Sequence, residues 1–396
     1  MDALFAQIAG RFRRVEPRRQ ARSYVLGLLA PIERKSSWQL AEAAGDGRPD
    51  RMQRLLGSAR WDPREVREDL HGYVVEQLGR NGGVLVVDDI GFAKKGTRSA
   101  GVQRQSSGSS GRPENCQIGV FLGYATRRGL ALADAELYLP RSWTEDRDRC
   151  ARAGVPADVG FATRPALAQA MVARALEAGS PARWVAADEV YGQAPAFRRY
   201  LEDRRLGYVM AVQGHQPLPV GYGDTGPRAD EVAAAAPPEA WKRLPARTDG
   251  DARWQGEWAV ATLLAFAEDD IGGLDGGPGG LGEEDAFACW LLVRRPARGN
   301  GDRLDYHLCH GPAGTAVGQL VRVARACRTV GDALRAAKED VGLDQYQVRR
   351  YDAWHRHVTL AMIAHAHLAA VAARAAGPPP QASAAPRRGG AVIWHI

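Results

Sequence analysis

Lysine is nearly missing from this chain: 5 of its 53 basic residues are lysine, and the others are arginine. A GC-rich coding bias produces that ratio, so the arginine excess by itself carries no function. Cysteine is scarce too. Cys116, Cys150, Cys289, Cys309 and Cys327 stand far apart, with no Cys-x-x-Cys pair. That excludes a zinc knuckle and a disulfide framework, and it predicts buried, reduced thiols. No apolar run reaches the roughly 20 residues needed to cross a bilayer. The start, MDALFAQIAGRFRR, places apolar residues before basic ones, the reverse of a secretory signal. These absences predict a cytoplasmic protein with no membrane partner.

What is present is unevenly distributed. Residues 1–60 hold 12 Lys and Arg against 6 Asp and Glu, and residues 345–396 hold 6 against 1. With a net charge of +7 for the whole chain, the middle is left acidic. Coding bias does not explain this segregation. Basic ends around an acidic centre fit a protein that grips a polyanion while an acidic pocket takes cations.

Apolar residues spaced three and four apart predict a helical bundle over residues 1–80, with Asp62-Pro63 as an N-cap followed by proline at the first helical position. From Val84 the period changes. "VLVVDD" reads as a strand buried on both sides, and "CQIGVFLGYAT" and "LALADAELYL" read as strands joined at Arg127-Arg128-Gly129. A helix at "RPALAQAMVARALEAG", a strand at "WVAADEVYG", a helix at "APAFRRYLEDRRL" and a strand at "GYVMAVQ" complete a mixed α/β sheet. The Gly- and Pro-rich region 213–305 predicts an inserted β region, with "IGGLDGGPGGLGEED" as a loop. Helices follow within 314–372, the first interrupted at Gly331, and 373–396 reads as a flexible tail. The core is therefore expected over 81–372.

Asp88-Asp89 ends one buried strand and Asp188 ends another. Carboxylates gathered at strand ends need a cation to stay ionised together. Two divalent ions about 3.5–4 Å apart on such carboxylates cleave phosphodiesters. Capping or salt-bridged aspartates are the plain alternative. Several weaker features have plainer readings. His355, His357, His365 and His367 share no single i, i+4 face and read as satisfied histidines. The "SSGSSG" stretch at 106–111 reads as a loop, since no phosphate-loop lysine follows it. Trp143 either shapes a pocket mouth or packs. Lys94 and Lys95 either contact phosphate or are solvated.

The segments "VLVVDDIGFAKKGTRSAGVQRQSSGSSGRPENCQIGVFLGYAT", "AELYLPRSWTEDRDRCARAGVP", "WVAADEVYG" and "GLDQYQVRRYDAWHRHVTLAMIAHAHL" together resemble bacterial insertion-sequence transposases of the DDE type, the insertion-sequence 701 group in particular. The resemblance runs over roughly residues 10–372. It implies an RNase H-like core: a mixed sheet flanked by helices, carrying a β insertion. It also implies Mg²⁺ or Mn²⁺ in a two-metal site, with DNA as partner and a homodimer as a candidate assembly. By motif, Asp89 and Asp188 are the first two catalytic and metal-binding acids. Ile90 replaces the threonine that usually follows the first.

The third acid departs from the family pattern. The helix "CRTVGDALRAAKEDVGLDQ" matches Lys338 to a lysine seven residues after the catalytic glutamate, which places that glutamate at Gly331. Cys327 and Arg328 fall where the family has Arg and Trp. Asp332 is a candidate substitute, rotated about 100° around the helix. Three readings follow: a DNA-binding transposase relative with impaired catalysis, an active enzyme using Asp332, and a repurposed fold with another ligand. The expected DNA contacts are Arg11, Arg13, Arg14, Arg18, Arg19, Lys94, Lys95, Arg349 and Arg350, on one face with the rest of "RRYDAWHRH".

Overall fold

The structure is a computed structural model, and it describes residues 1–106, 113–219, 226–243, 255–263, 286–297, 303–377 and 393–395. Helices α1 to α5 are Asp2–Ile8, Val15–Leu29, Ser37–Ala43, Asp50–Gly57 and Pro63–Leu78. Strands β1 to β4 are Val84–Ala93, Gln103–Gln105, Glu114–Thr126 and Gly129–Tyr138. Helices α6 to α8 are Arg141–Thr144, Arg147–Arg152 and Arg164–Glu177. Then come β5 (Trp184–Ala187), α9 (Glu189–Gly192), α10 (Pro195–Glu202), β6 (Gly207–Val212) and α11 (Ala229–Ala234). Strands β7 to β10 are Lys242–Arg243, Gly256–Leu263, Phe287–Pro296 and Asp305–Pro312. The chain continues through α12 (Val317–Val341), α13 (Tyr351–Ala375) and β11 (Ile393–His395).

Two compact units result. The first holds Met1–Ala182 and Thr329–Pro380, the second Arg183–Arg328 and Gln381–Ile396. The N-terminal helices that the sequence sets apart at residue 80 pack within the first unit: α5 lies against β4 and α13, and α2 against α13. Their local signals are as expected. The Asp62 carboxylate accepts from the Arg64 N–H at 2.8 Å, with Pro63 opening α5. Such a cap is worth about 1 kcal/mol.

In the first unit β1 and β3 run antiparallel in unbroken register from Val84↔Ala125 to Ala93↔Cys116. Strand β4 folds back onto β3 through Arg127-Arg128-Gly129, where Gly129 takes φ +136°. Between Leu122 and Gly123 the β3–β4 register shifts by a bulge. Unbroken β1–β3 pairing matters for the site, because strand residues alternate faces strictly only without a bulge. One face of β1 is identified by Phe92, whose ring packs on Phe121, Tyr346 and Trp354 at centroid distances of 6.3, 5.7 and 6.3 Å. Asp88 shares that face, and Asp89 points to the other.

Helix α13 is long and apolar enough to cross a membrane by length and composition alone, with a window of mean hydropathy 1.4. Most of that window, 61%, is buried, and its neighbours are α2, α5 and β4. Its apolar character serves the core of the first unit. His355, His357 and His365 are buried in it.

The second unit is a sheet in which β5 and β6 run parallel and β6, β10, β9 and β8 pair antiparallel in that order. Strands β8 and β9 fall where the β insertion is expected, and β10 begins at its last residue, Asp305. β11 adds parallel to β8, Ile393 opposite Val260. The end of the region read as a flexible tail is therefore a strand, while 378–392 lies outside the described residues, as do 107–112 and the glycine-rich loop 271–285. A second correction concerns α12. Gly331 does not interrupt it, and the helix is continuous over 25 residues. Glycine costs about 1 kcal/mol in a helix, but Val330, Leu334, Ala337 and Val341 are fully buried around it and hold the course.

Candidate active site on β1

Strand β1 carries its two acids to opposite faces, and each has a different fate. Asp89 is 7% exposed, and its carboxylate accepts from Arg164 Nη1 at 3.0 and 3.2 Å. Arg164 opens α8, just after the Thr163 cap. Asp88 turns the other way. One of its oxygens accepts the Asp89 N–H at 2.7 Å, and the other lies 3.8 Å from where a Cβ on Gly331 would be.

Helix α12 faces β1 along this stretch. Lys338, seven residues beyond Gly331, is about 20° from it around the helix and about 10 Å along the axis. Its Nζ donates to the Gly91 carbonyl at 3.0 Å. Three strand residues separate Asp88 from Gly91, also about 10 Å. The two spacings match, so α12 presents residues 331 and 338 to Asp88 and Gly91 in step. Burial lowers the Lys338 ammonium from its ordinary value, with Asp344 and Glu114 acting the other way.

Position 331 has room for a side chain, since among the described residues Asp88 supplies the only atom within 4 Å of the added Cβ outside the helix's own backbone. A glutamate there would set its carboxylate beside that of Asp88. Two carboxylates so placed ionise together only around a cation. Asp332 lies off this line, and its carboxylate accepts from Arg335 Nη1 at 3.1 Å on the same helix. Asp188, in the second unit, ends β5 as expected and caps α9 by accepting the Val190 N–H at 3.0 Å. Among the described residues no group of three His, Cys, Asp or Glu is arranged to hold a metal.

Beside the strand end, Lys94 is set by its backbone. Its N–H donates to the Asn115 carbonyl at 2.8 Å, while the Asn115 amide donates to the carbonyls of Lys94 and Gly96 at 2.6 and 3.1 Å. The Lys94 ammonium stands 3.6 Å over the Tyr346 ring. Burial brings it down to about 8, Lys338 adds to the shift, and Asp344 opposes it. Tyr346 is itself fixed, its hydroxyl donating to Gln117 at 2.9 Å and accepting from Trp354 at 3.1 Å.

The expected DNA contacts divide. Arg13, Arg14, Arg18, Arg19, Lys95 and Arg349 are exposed. Arg11 instead forks onto Asp69, at 2.8 Å through both nitrogens. Arg350 is exposed but pairs with Asp352 at 3.1 Å and packs over Gly154. Arg356, in the same expected face, donates to the carbonyls of Leu56 and Gly57 at 3.0 and 2.6 Å and is a staple between α13 and α4. Trp143 packs in the core, donating to the Val102 carbonyl at 2.8 Å. The cysteines are all free thiols.

Sequence reasoning missed Arg164 and the facing of Asp88 towards α12. No local signal marks Arg164, which lies 75 residues from Asp89. It also missed a second acidic cluster. Asp134 and Glu136 lie on one face of β4; Asp134 accepts from Arg67 at 2.7 Å and from Arg174 at 2.7 Å, and Glu136 from Arg174 at 2.7 Å. Two acids two apart in an otherwise apolar strand, "LADAELY", were the available clue.

A mixed α/β fold with helices flanking its sheet, and paired aspartates midway along a buried strand rather than at its end, defines the RNase H-like class. The chain belongs to the DDE superfamily endonuclease family, whose model matches residues 7–262. It is also similar to the probable transposase for insertion sequence element IS701 of Microchaete diplosiphon, at 23% identity over 192 residues. That match covers 48% of this chain and 47% of the relative, so the chain spans about half the length of the protein it resembles.

Proposed function

We propose that this protein is a transposase-like DNA-binding member of its family that does not cut strands as it stands. The observation that carries the reading is Gly331, a position that faces Asp88 and offers no carboxylate. Divalent metal ions are general in the family. The residues here do not fit a complete two-metal set: Asp89 carries Arg164, residue 331 has no side chain, and Asp332 is engaged by Arg335. The metal-facing acid of the pair is then Asp88, with Asp89 a structural partner of α8. Asp188 is the second acid by motif. Exposed Arg13, Arg14, Arg18, Arg19, Lys95 and Arg349 supply phosphate contacts, and Lys338 and Lys94 flank the strand end. Asp332 as a working third acid is disfavoured by its Arg335 ion pair.

Calorimetric Mn²⁺ titration beside a strand-nicking assay tests this. The parent should show negligible metal-dependent nicking, and Gly331→Glu should bind Mn²⁺ at least about tenfold more tightly. In that background Asp88→Asn should abolish the gain and Asp89→Asn should reduce it less. Robust nicking by the parent that vanishes in Asp332→Ala would overturn the reading. Duplex binding should fall steeply with salt.

A further inference from the structure

A separate recess opens in the first unit between the start of α3, α4 and the segment that joins α12 to α13. It encloses about 240 Å³, less than the roughly 300–1,000 Å³ of sites for drug-sized ligands. Its polar groups are uncharged: Ser37, Gln53, Gln345 and Gln347. Among the described residues no carboxylate lines it. Lys35 lies in its wall, but the ammonium is turned to the Ala30 carbonyl. The Lys35 N–H takes the Gln345 side-chain oxygen at 2.7 Å, which leaves the Gln345 NH₂ as a donor.

Tyr24 and Tyr346 also border the recess, with both hydroxyls spent elsewhere. Tyr24 bonds His357 Nδ1 at 2.9 Å, and Tyr346 bonds Gln117 and Trp354. The tyrosines therefore contribute ring surface. A metal would need carboxylates here, and a phosphate would need free cations. Amide donors and acceptors between aromatic walls suit a neutral, planar group with its own donors and acceptors. Glutamine in particular matches the N6 and N7 edge of adenine.

The surroundings add independent support. Trp38 follows Ser37 in the first turn of α3 and is 62% exposed. Exposed Arg34 precedes Lys35, and exposed Arg349 and Arg350 follow Val348 at the other wall. Both wall segments thus lead into cations, and one leads into a bare indole. Aromatic stacking with cationic tracking is how single-stranded nucleic acid is held.

We propose that this recess binds one unstacked nucleobase of a DNA ligand, with Trp38 stacking at its mouth and Arg34 and Arg349 on the flanking phosphates. The assignment rests on the DNA reading above. The glutamines read the base edge, and an intact duplex, whose bases stay stacked, does not enter.

The test uses the full chain at low salt with three probes: a short duplex, the same duplex with one extrahelical adenine, and free deoxyadenosine monophosphate. The bulged duplex should bind about tenfold more tightly than the perfect one, with tryptophan fluorescence quenched relative to the perfect-duplex complex. Trp38→Ala should abolish the quenching. The double variant Gln53→Ala, Gln347→Ala should lose the preference and keep the parent's affinity for perfect duplex. Equal affinity for the two duplexes, or quenching unchanged in both variants, overturns the proposal. If neither duplex binds, the DNA reading fails, and the nucleotide decides the recess. Binding that the glutamine variant loses keeps it as a base site, and no binding overturns it.

Discussion

Two acidic pairs on strands of the first unit, one on β4 and one on β1, are built on opposite plans. On β4, Asp134 and Glu136 lie on one face and two arginines close over them. Burial raises the Asp134 carboxyl, but Arg67 and Arg174 outweigh it and hold the group below its ordinary value. On β1, Asp88 and Asp89 are consecutive, so the strand sends them apart. Arg164 serves one, and the other faces a helix position occupied by glycine. The first arrangement gathers two acids under two arginines and ties α5, β4 and α8 together. The second divides its acids between two faces and two helices, α8 and α12. Clustered carboxylates do not by themselves identify a functional centre; how their charge is met does.

The strongest way to break this comparison is to remove one arginine from each pair. Arg67→Ala should cost about 3–5 kcal/mol in urea unfolding, because it removes one of the two arginines that neutralise the buried Asp134 and its hydrogen bond to Thr359. Arg67 is 3% exposed and also donates to Thr359 at 3.0 Å. Arg164→Ala should cost less than half as much, because the Arg164 side chain is 26% exposed and water can replace it. Equal losses would erase the distinction.

Acid sharpens the comparison from another side. Burial lowers His357 and His365 on α13 to about 4, and it lowers His355 well below its ordinary value, with Arg67, Arg64 and Arg174 acting the same way. As pH falls below about 6.5, the unfolded chain takes up these protons first, so stability declines down to about 4. Asp134, held below its ordinary value of 3.8, loses its contribution only under that pH. The histidines should therefore fail before the ion cluster. His365→Leu should remove roughly 3 kcal/mol of the loss between pH 6.5 and 4, measured by urea unfolding across that range. A loss that the substitution leaves untouched would place the acid sensitivity elsewhere.

The smallest effect belongs to position 331. Gly331→Ala should stabilise the fold by about 0.5–1 kcal/mol, since among the described residues the new methyl meets only an Asp88 oxygen at 3.8 Å. A clear destabilisation in thermal melts would show that residue 331 is closed to side chains, and would remove the support for a lost acid.

Much of this was legible in the sequence, where the information is local. The Asp62-Pro63 helix start, the β3–β4 turn at Gly129 and the apolar run that makes β1 all depend on neighbours a few residues away; the strand does not end at its two aspartates, as the run suggests, because Ile90 to Ala93 keep pairing with β3. The heptad spacing of Gly331 and Lys338 was also readable, because a helix has one period. Which aspartate faces α12 was not. Asp88 and Asp89 are chemically identical, and only the packing of Phe92, three to four residues on, fixes the faces. Partners such as Arg164, or Arg67 for Asp134, come from across the fold and leave no spacing to read. Arg11 and Arg356 misled for the same reason: basic side chains spent on internal acceptors look in sequence like those left for a ligand.

The unbroken course of α12 through Gly331 has a genetic consequence. Every glycine codon becomes an aspartate or glutamate codon by one base substitution in its second position. The backbone around residue 331 needs no repair, and Lys338 is still in place one face along. If the carboxylate was lost as proposed, the lesion is among the easiest to reverse. A lineage carrying this chain would keep producing revertants, and persistence of the glycine would then record selection against cutting rather than decay of an unused gene.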